Sequence, residues 1–255
     1  CHKYVKIGHP TRGLLPFVLY SYQKRCIEQY EKNTYNIIRK FRQGGLTTVT
    51  VLWALWRAMF REGETLLLVS KTDREAMVAG DIARNSIENF PKWFAPTLAQ
   101  GGDNKHEKHF EETGSKLLFY TAEAARGRSL SCLILDEAAF IKDMERHWAA
   151  MFPTLSGGGQ CIAISTVNGV GNWYHDQYKG AEDGRNYWNI IDLGYKEHPD
   201  YDDDHWLEQM KAQLGLKKFR QEILGDFLGS GVTFSPAEHI SNMTNYASKI
   251  CPLRK

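Results

Sequence analysis

Along this chain, short uninterrupted apolar runs alternate with segments in which apolar residues recur at helical spacing. Residues 34–39 (TYNIIR) predict a short strand, followed by a glycine-containing turn and a helix over residues 47–61. In that helix Val49, Leu52, Trp53, Trp56, Met59 and Phe60 line up as one apolar stripe. Residues 65–70 (TLLLVS) have an unbroken apolar centre, the pattern of a strand covered on both faces. Thr72 and Glu75 have the spacing of a capping box for a helix to about residue 89, stopped by Pro91. Two more buried strands are predicted at 132–135 (CLIL) and 161–164 (CIAI), and a last one at 187–193 (YWNIIDL). This alternation predicts an α/β fold, a mostly parallel sheet with helices on both faces. Active sites of such sheets lie at the carboxyl ends of the strands, so the residues following each strand carry the chemistry.

After residue 194 the texture changes. An acidic run at 200–204 precedes helical patterns at 206–214 and 217–227. The predicted division is a core at 14–193 and a small helical lid or linker subdomain at 194–228, to which residues 1–13 are the natural addition. Residues 229–255 are turn-rich and read as a linker. The 255 residues are 42% hydrophobic and 24% charged, which excludes disordered, collagenous and coiled-coil chains. A net charge of +2 means that any nucleic-acid contact must come from a local patch. Lys211, Lys217, Lys218 and Arg220 offer such a patch, although a solvated helix face or a subunit contact accounts for them as well. Five scattered cysteines have no metal-ligand spacing; Cys132 and Cys161 read as small buried hydrophobes, and the odd count points to a reducing compartment. His106 and His109 are wrongly spaced for a zinc helix. The charge-poor stretch between Arg146 and Lys179 is broken by Pro153 and three glycines, so it predicts no membrane span. A chain opening on Cys1 reads as a piece of a longer protein.

The first strand runs into residues 40–48, KFRQGGLTT. A phosphate-binding loop is written GxxxxGK[ST]. Gly45 and Thr47 fall where that pattern wants them, while Leu46 takes the lysine position and Lys40 that of the first glycine. The physical requirements nevertheless survive: a tight backbone turn, a helix N-terminus and a cation, supplied by Lys40 or by Arg42. Residues 132–137 (CLILDE) form an apolar strand ending in two acids. Asp136 is placed to hold Mg²⁺ and Glu137 to orient a water for attack on a terminal phosphate. Adjacent ionised carboxylates at a strand tip favour a nearby cation. The next strand ends in Ser165-Thr166-Val167-Asn168-Gly169, small hydroxyls able to sense that phosphate.

Taken together, the ordered motifs resemble the ATPase domain of the large terminase subunit of tailed bacteriophages. The resemblance rests on Tyr22-Gln23, the deviant loop Lys40 to Thr48, Arg126-Gly127, the apolar run to Asp136-Glu137, and Ser165-Thr166-Val167-Asn168-Gly169-Val170-Gly171-Asn172-Trp173-Tyr174. It extends over about residues 19–234, and Phe219-Arg220-Gln221-Glu222 with Gly225-Asp226-Phe227 resembles the close of that domain. It implies a P-loop NTPase fold of the ASCE, RecA-like kind, binding ATP and Mg²⁺. Gln23 would bond the adenine with Tyr20 or Tyr22 stacking nearby. Gln43, Gly44, Gly45, Leu46, Thr47 and Thr48 would wrap the phosphates, with the charge of Arg42 or Lys40. Thr47 and Asp136 would hold Mg²⁺, Glu137 would activate water, and Ser165 and Thr166 would couple hydrolysis to movement. Arg126, or Arg128, would reach a neighbouring subunit's nucleotide. The implied partners are double-stranded viral DNA, a portal protein, a small terminase subunit and further copies in a ring on the procapsid, in the host cytoplasm. Nothing after Gly229 reads as a nuclease, so an ATPase without cutting activity is expected. The alternatives are a helicase-like NTPase with the same core, and a non-catalytic nucleotide-binding module that docks DNA.

Overall fold

The computed structural model describes residues 4–9, 13–124, 129–201 and 203–227. An N-terminal hairpin, β1 (Lys6–His9) and β2 (Gly13–Pro16), precedes helix α1 (Ser21–Lys32). There follow β3 (Tyr35–Arg39), α2 (Leu46–Phe60), β4 (Thr65–Ser70) and α3 (Asp73–Glu88). Next come β5 (Leu98–Asp103), β6 (Glu107–Phe110), β7 (Lys116–Thr121), β8 (Cys132–Asp136) and α4 (Met144–Met151). The chain continues through β9 (Gln160–Ser165), α5 (Trp173–Glu182), β10 (Asn189–Asp192) and α6 (Asp204–Phe219). The main sheet has the order β10-β3-β9-β8-β4-β7-β6-β5, parallel from β10 through β7 and antiparallel across β6 and β5.

Both faces of the parallel part are covered, which is why its strands read as apolar runs. Leu66, Leu68, Ile134 and Ile164 point to the layer built from α1, α2 and α3. Their alternating neighbours Leu67, Val69, Leu133 and Ala163 face α4 and α5. The predicted stripe on α2 is corrected in part. The helix is buried round most of its circumference, because the sheet layer takes Trp53, Leu55 and Ala58 while the N-terminal hairpin covers Val49 and Leu52. Trp56 and Phe60 are left outside, 45% and 54% exposed. The two helices expected near the end are the two halves of α6, separated at Gly215, whose backbone is non-helical (φ 71°), and the second half runs on into a wide turn, Arg220–Leu224.

At the end of α2 remote from the loop, Arg57 is buried and uses its whole guanidinium. It pairs with both oxygens of Glu64, at the entry to β4, and donates to Gln160 Oε1, at the entry to β9. Gln160 in turn donates to the carbonyls of Tyr30 and Asn33 at the end of α1.

Candidate functional site

The site lies where β3, β8 and β9 end side by side, at their carboxyl ends. The Lys40 N–H extends the β3–β9 pairing by donating to Ser165 O at 3.0 Å. The loop from Lys40 to Gly45 then turns back into α2. Phe41 roots it in the core, its ring packed on Tyr22, His198 and Tyr201. Gln43 (φ 63°) and Gly45 (φ 68°) are both left-handed, and a Cβ on Gly45 would come within 3.0 Å of Gln23 Nε2. The Gly44 carbonyl accepts two side-chain bonds, from Tyr22 Oη at 2.8 Å and from Gln23 Nε2 at 3.1 Å. A trans peptide sets its C=O and N–H in opposite directions, so fixing this carbonyl also fixes the Gly45 N–H on the other side. The first helical bond runs only from Val49 N–H to Gly45 O, leaving the amides of Leu46, Thr47 and Thr48 at the positive end of α2. No acidic residue occupies that first turn. The result is a seat for an anion.

The side chain of Leu46, at the position of the usual lysine, is buried in the core, so only its backbone amide can face a phosphate. The two candidate cations have different settings. Lys40 is buried, its Nζ 2.7 Å from Glu137 Oε1. Arg42 is 63% exposed and pairs at 3.2 Å with Glu222, in the turn after α6.

Across the loop, Thr47 Oγ1 donates to Asp136 Oδ1 at 2.9 Å, joining the helix start to the tip of β8. Burial pushes the Asp136 carboxyl up to about 6, with the Lys40 charge pulling it down and that of Glu137 pushing it up. Glu137 sits in the left-handed region at φ 51°, a strained backbone for a residue with a side chain. Its Oε2 is buried with no hydrogen-bond partner among the described residues. A buried carboxylate, a half-buried one beside it and a hydroxyl form an all-oxygen donor set, which suits a hard cation such as Mg²⁺.

Ser165 and Asn168 grip the segment just beyond Glu137. Ser165 Oγ accepts from Ala139 N–H at 3.1 Å, and Asn168 Nδ2 donates to Ala139 O at 3.0 Å. Thr166 is buried beside them. Asn172 caps α5 by accepting from His175 N–H and holds the Asn168 carbonyl, while Tyr174 Oη donates to Ile38 O in the middle of β3.

The structure thus brings together Lys40, Gln43 to Thr48, Asp136, Glu137, Ser165 and Thr166. Gln23 lies under the loop with both ends of its amide occupied, Oε1 accepting from Tyr20 N–H and Nε2 donating to Gly44 O. Tyr22 is fully buried, and Tyr20 is the one of the pair that presents a ring to solvent. Arg126 and Arg128 lie outside the described residues, as does the predicted linker at 229–255. Sequence reasoning gives little weight to two charged residues that flank these segments. Glu222 stands out only as part of a terminal motif, and Lys71 carries no motif at all. Lys71 follows the tip of β4, where its Nζ pairs with Glu75 and lies 5.5 Å over the Phe140 ring.

Residues 37–240 match the family of terminase large subunits, T4likevirus-type, N-terminal. The chain belongs to this large terminase family. Among solved structures it is similar to the large terminase ATPase domain of Thermus phage P74-26, at 19% identity and a TM-score of 0.68, covering 83% of this chain and 94% of that one. The large terminase of bacteriophage HK97 matches with a TM-score of 0.68 at 12% identity, over 88% of this chain and 54% of that one. The large terminase of a thermophilic bacteriophage, in complex with ADP, matches with a TM-score of 0.65 at 13% identity, over 82% and 54%. This terminase chain therefore spans about half the length of the last two proteins. At such identities the likeness establishes a P-loop NTPase fold, as the sheet order and the loop between β3 and α2 also require.

Proposed function

We propose that this terminase domain hydrolyses ATP with Mg²⁺ and that the hydrolysis drives double-stranded viral DNA into a procapsid. The observation that carries this reading is the bond from Thr47 to Asp136, which closes the phosphate loop onto two adjacent acids. The ADP and ATP-γ-S complexes of the thermophilic phage's large terminase support nucleotide as the ligand.

Each residue then has a definite task. The Gly45 N–H and the first amides of α2 receive the phosphate oxygens, and Lys40 or Arg42 supplies positive charge. Thr47 and Asp136 are the groups that would hold Mg²⁺, which when bound neutralises charge developing on the β- and γ-oxygens. Glu137 takes a proton from the attacking water. To do so it must part from Lys40, whose ammonium is then free to face the triphosphate. Ser165 and Asn168 hold the Ala139 peptide groups and so fix where Glu137 points. Arg126, or Arg128, completes a neighbouring subunit's site, which makes an isolated copy slow by about 10³–10⁵-fold. The portal, the small terminase subunit and a ring at the procapsid, in the host cell, follow from the packaging role.

Phosphate release at increasing protein concentration, followed by packaging in the presence of procapsids, tests the reading. Nucleotide binding without release at any concentration would replace it with the non-catalytic docking module. Similarity to the UvsW helicase of bacteriophage T4, with a TM-score of 0.51 at 14% identity, keeps a helicase-like NTPase as the second reading. A strand-separation assay on the full-length protein decides between motor and helicase.

A further inference from the structure

The turn after α6 is tied to the site at several points. Arg42 N–H donates to Glu222 O at 3.1 Å, and Arg42 Nη1 lies 3.2 Å from Glu222 Oε2. Next to it, Gln221 Nε2 donates to Val167 O at 2.9 Å, beyond the tip of β9. Arg39, the last residue of β3, donates to Gly225 O and lies over the Phe227 ring. Residues 221–227 thus form a strap running from α6 across the tips of β3 and β9 to the phosphate loop.

The two contacts between Arg42 and Glu222 differ in kind. The backbone bond does not depend on where the Arg42 side chain goes. The ion pair joins a mostly exposed guanidinium to a carboxylate only 14% exposed. Its Oε2 has no hydrogen-bond partner among the described residues, so the pairing is electrostatic without good bonding geometry. A triphosphate carries several charges against one, and it presents oxygens that a guanidinium binds two at a time.

We propose that Glu222 is a positioning residue. It holds Arg42 away from the anion seat when the seat is empty and gives it up when a nucleoside triphosphate arrives. Resting on the ATPase reading above, this makes the strap a reporter of nucleotide occupancy. Once Arg42 leaves, the largely buried Glu222 carboxylate has lost its counter-charge and must turn outward to water. That movement loosens residues 221–227 and, through them, the end of α6. The Gln221 bond to Val167 passes the same change to the strand tip carrying Ser165 and Thr166.

The test compares the 255-residue chain with Glu222→Gln, Glu222→Leu, Arg42→Gln and the Arg42→Gln/Glu222→Gln double variant, using a non-hydrolysable ATP analogue. Calorimetry gives affinity, and hydrogen exchange over residues 216–227 gives opening of the strap. Removing the competing carboxylate should tighten binding by about 1.5- to 5-fold, the worth of a part-exposed ion pair. The gain should vanish in the double variant, a coupling that a merely structural role for Glu222 would not produce. Exchange in the strap should rise on adding analogue to the wild type, and should already be raised in both single Glu222 variants without it. Affinity unchanged in both Glu222 variants, or a gain that persists without Arg42, overturns the proposal. A wild-type chain that binds no analogue overturns the ATPase reading instead.

Discussion

Lys40 Nζ and Glu137 Oε1 lie 2.7 Å apart, so the buried cation of the phosphate loop and the proposed base neutralise each other. Lys40 occupies one oxygen of that carboxylate, so the contact has to open before this oxygen can meet a water. Glu137→Gln keeps the shape and an acceptor for Lys40 but removes the base. Hydrolysis should fall by about 10²–10⁴-fold, the usual worth of a positioned general base, with ATP affinity retained. Phosphate release beside equilibrium binding measures both, and turnover within about threefold of wild type would remove Glu137 from its role.

The bond from Thr47 to Asp136 separates a structural contribution from a metal contribution. Thr47→Val leaves a buried carboxylate oxygen unpaired and should lower stability by about 1–3 kcal/mol. It should also abolish most of the nucleotide affinity that Mg²⁺ adds, so that chelation weakens binding to the wild type and hardly alters the variant. Thr47→Ser, which keeps the hydroxyl, should restore the metal response. An equal response to chelation in all three proteins would refute the assignment.

Gly45 combines a left-handed backbone with a close neighbour, Gln23 Nε2. Gly45→Ala should cost about 1–2 kcal/mol from the conformation alone. It should also push Gln23 off the Gly44 carbonyl and weaken phosphate binding. Thermal unfolding with and without nucleotide reads the two effects. An unshifted midpoint would mean that the loop relaxes without strain.

His198 gives the fold an acid limit of its own. It is buried among Tyr20, Tyr22, Phe41 and Tyr201, stacked on Tyr201 at 4.1 Å, and its Nδ1 accepts from Asp200 N–H. Burial holds its pKa below the ordinary histidine value, against the opposing charge of Asp200. A depressed folded-state value means that the neutral ring is favoured, so its contribution is complete above the unfolded-state value of about 6.5. That contribution is lost as pH falls through the lower, folded-state value. Wild type should therefore lose denaturant stability below about pH 6.5 more steeply than His198→Phe. Parallel slopes in the two proteins would show that other groups set the acid limit.

The parts of the site legible in sequence are those that recur locally. Strands ending at Arg39, Asp136 and Ser165 are buried on both faces, and burial writes a largely apolar run, broken in β3 by Asn36, whose end marks the chemistry. The antiparallel edge leaves no such mark. β5 carries Gly101 and Gly102, and β6 carries Glu107 and Lys108, so both look like polar loop until they are paired. Lys108 is buried there only because Asp103 and the Asn104 carbonyl receive its ammonium. The roles of Tyr22 and Glu222 are hidden for a different reason. Their partners, Gly44 and Arg42, are distant in sequence, and neither residue type signals a contact with a phosphate loop. Trp56 and Phe60 mislead in the opposite direction, since helical spacing records an apolar face without recording what covers it.

The Arg57–Glu64–Gln160 network bears on how work could leave this domain. Helix α2 is bolted to the sheet at its far end by that network and at its near end by Thr47 and Asp136. Fastened at both ends, it is braced as a strut would be. On the motor reading proposed above, movement would leave the domain through segments other than α2.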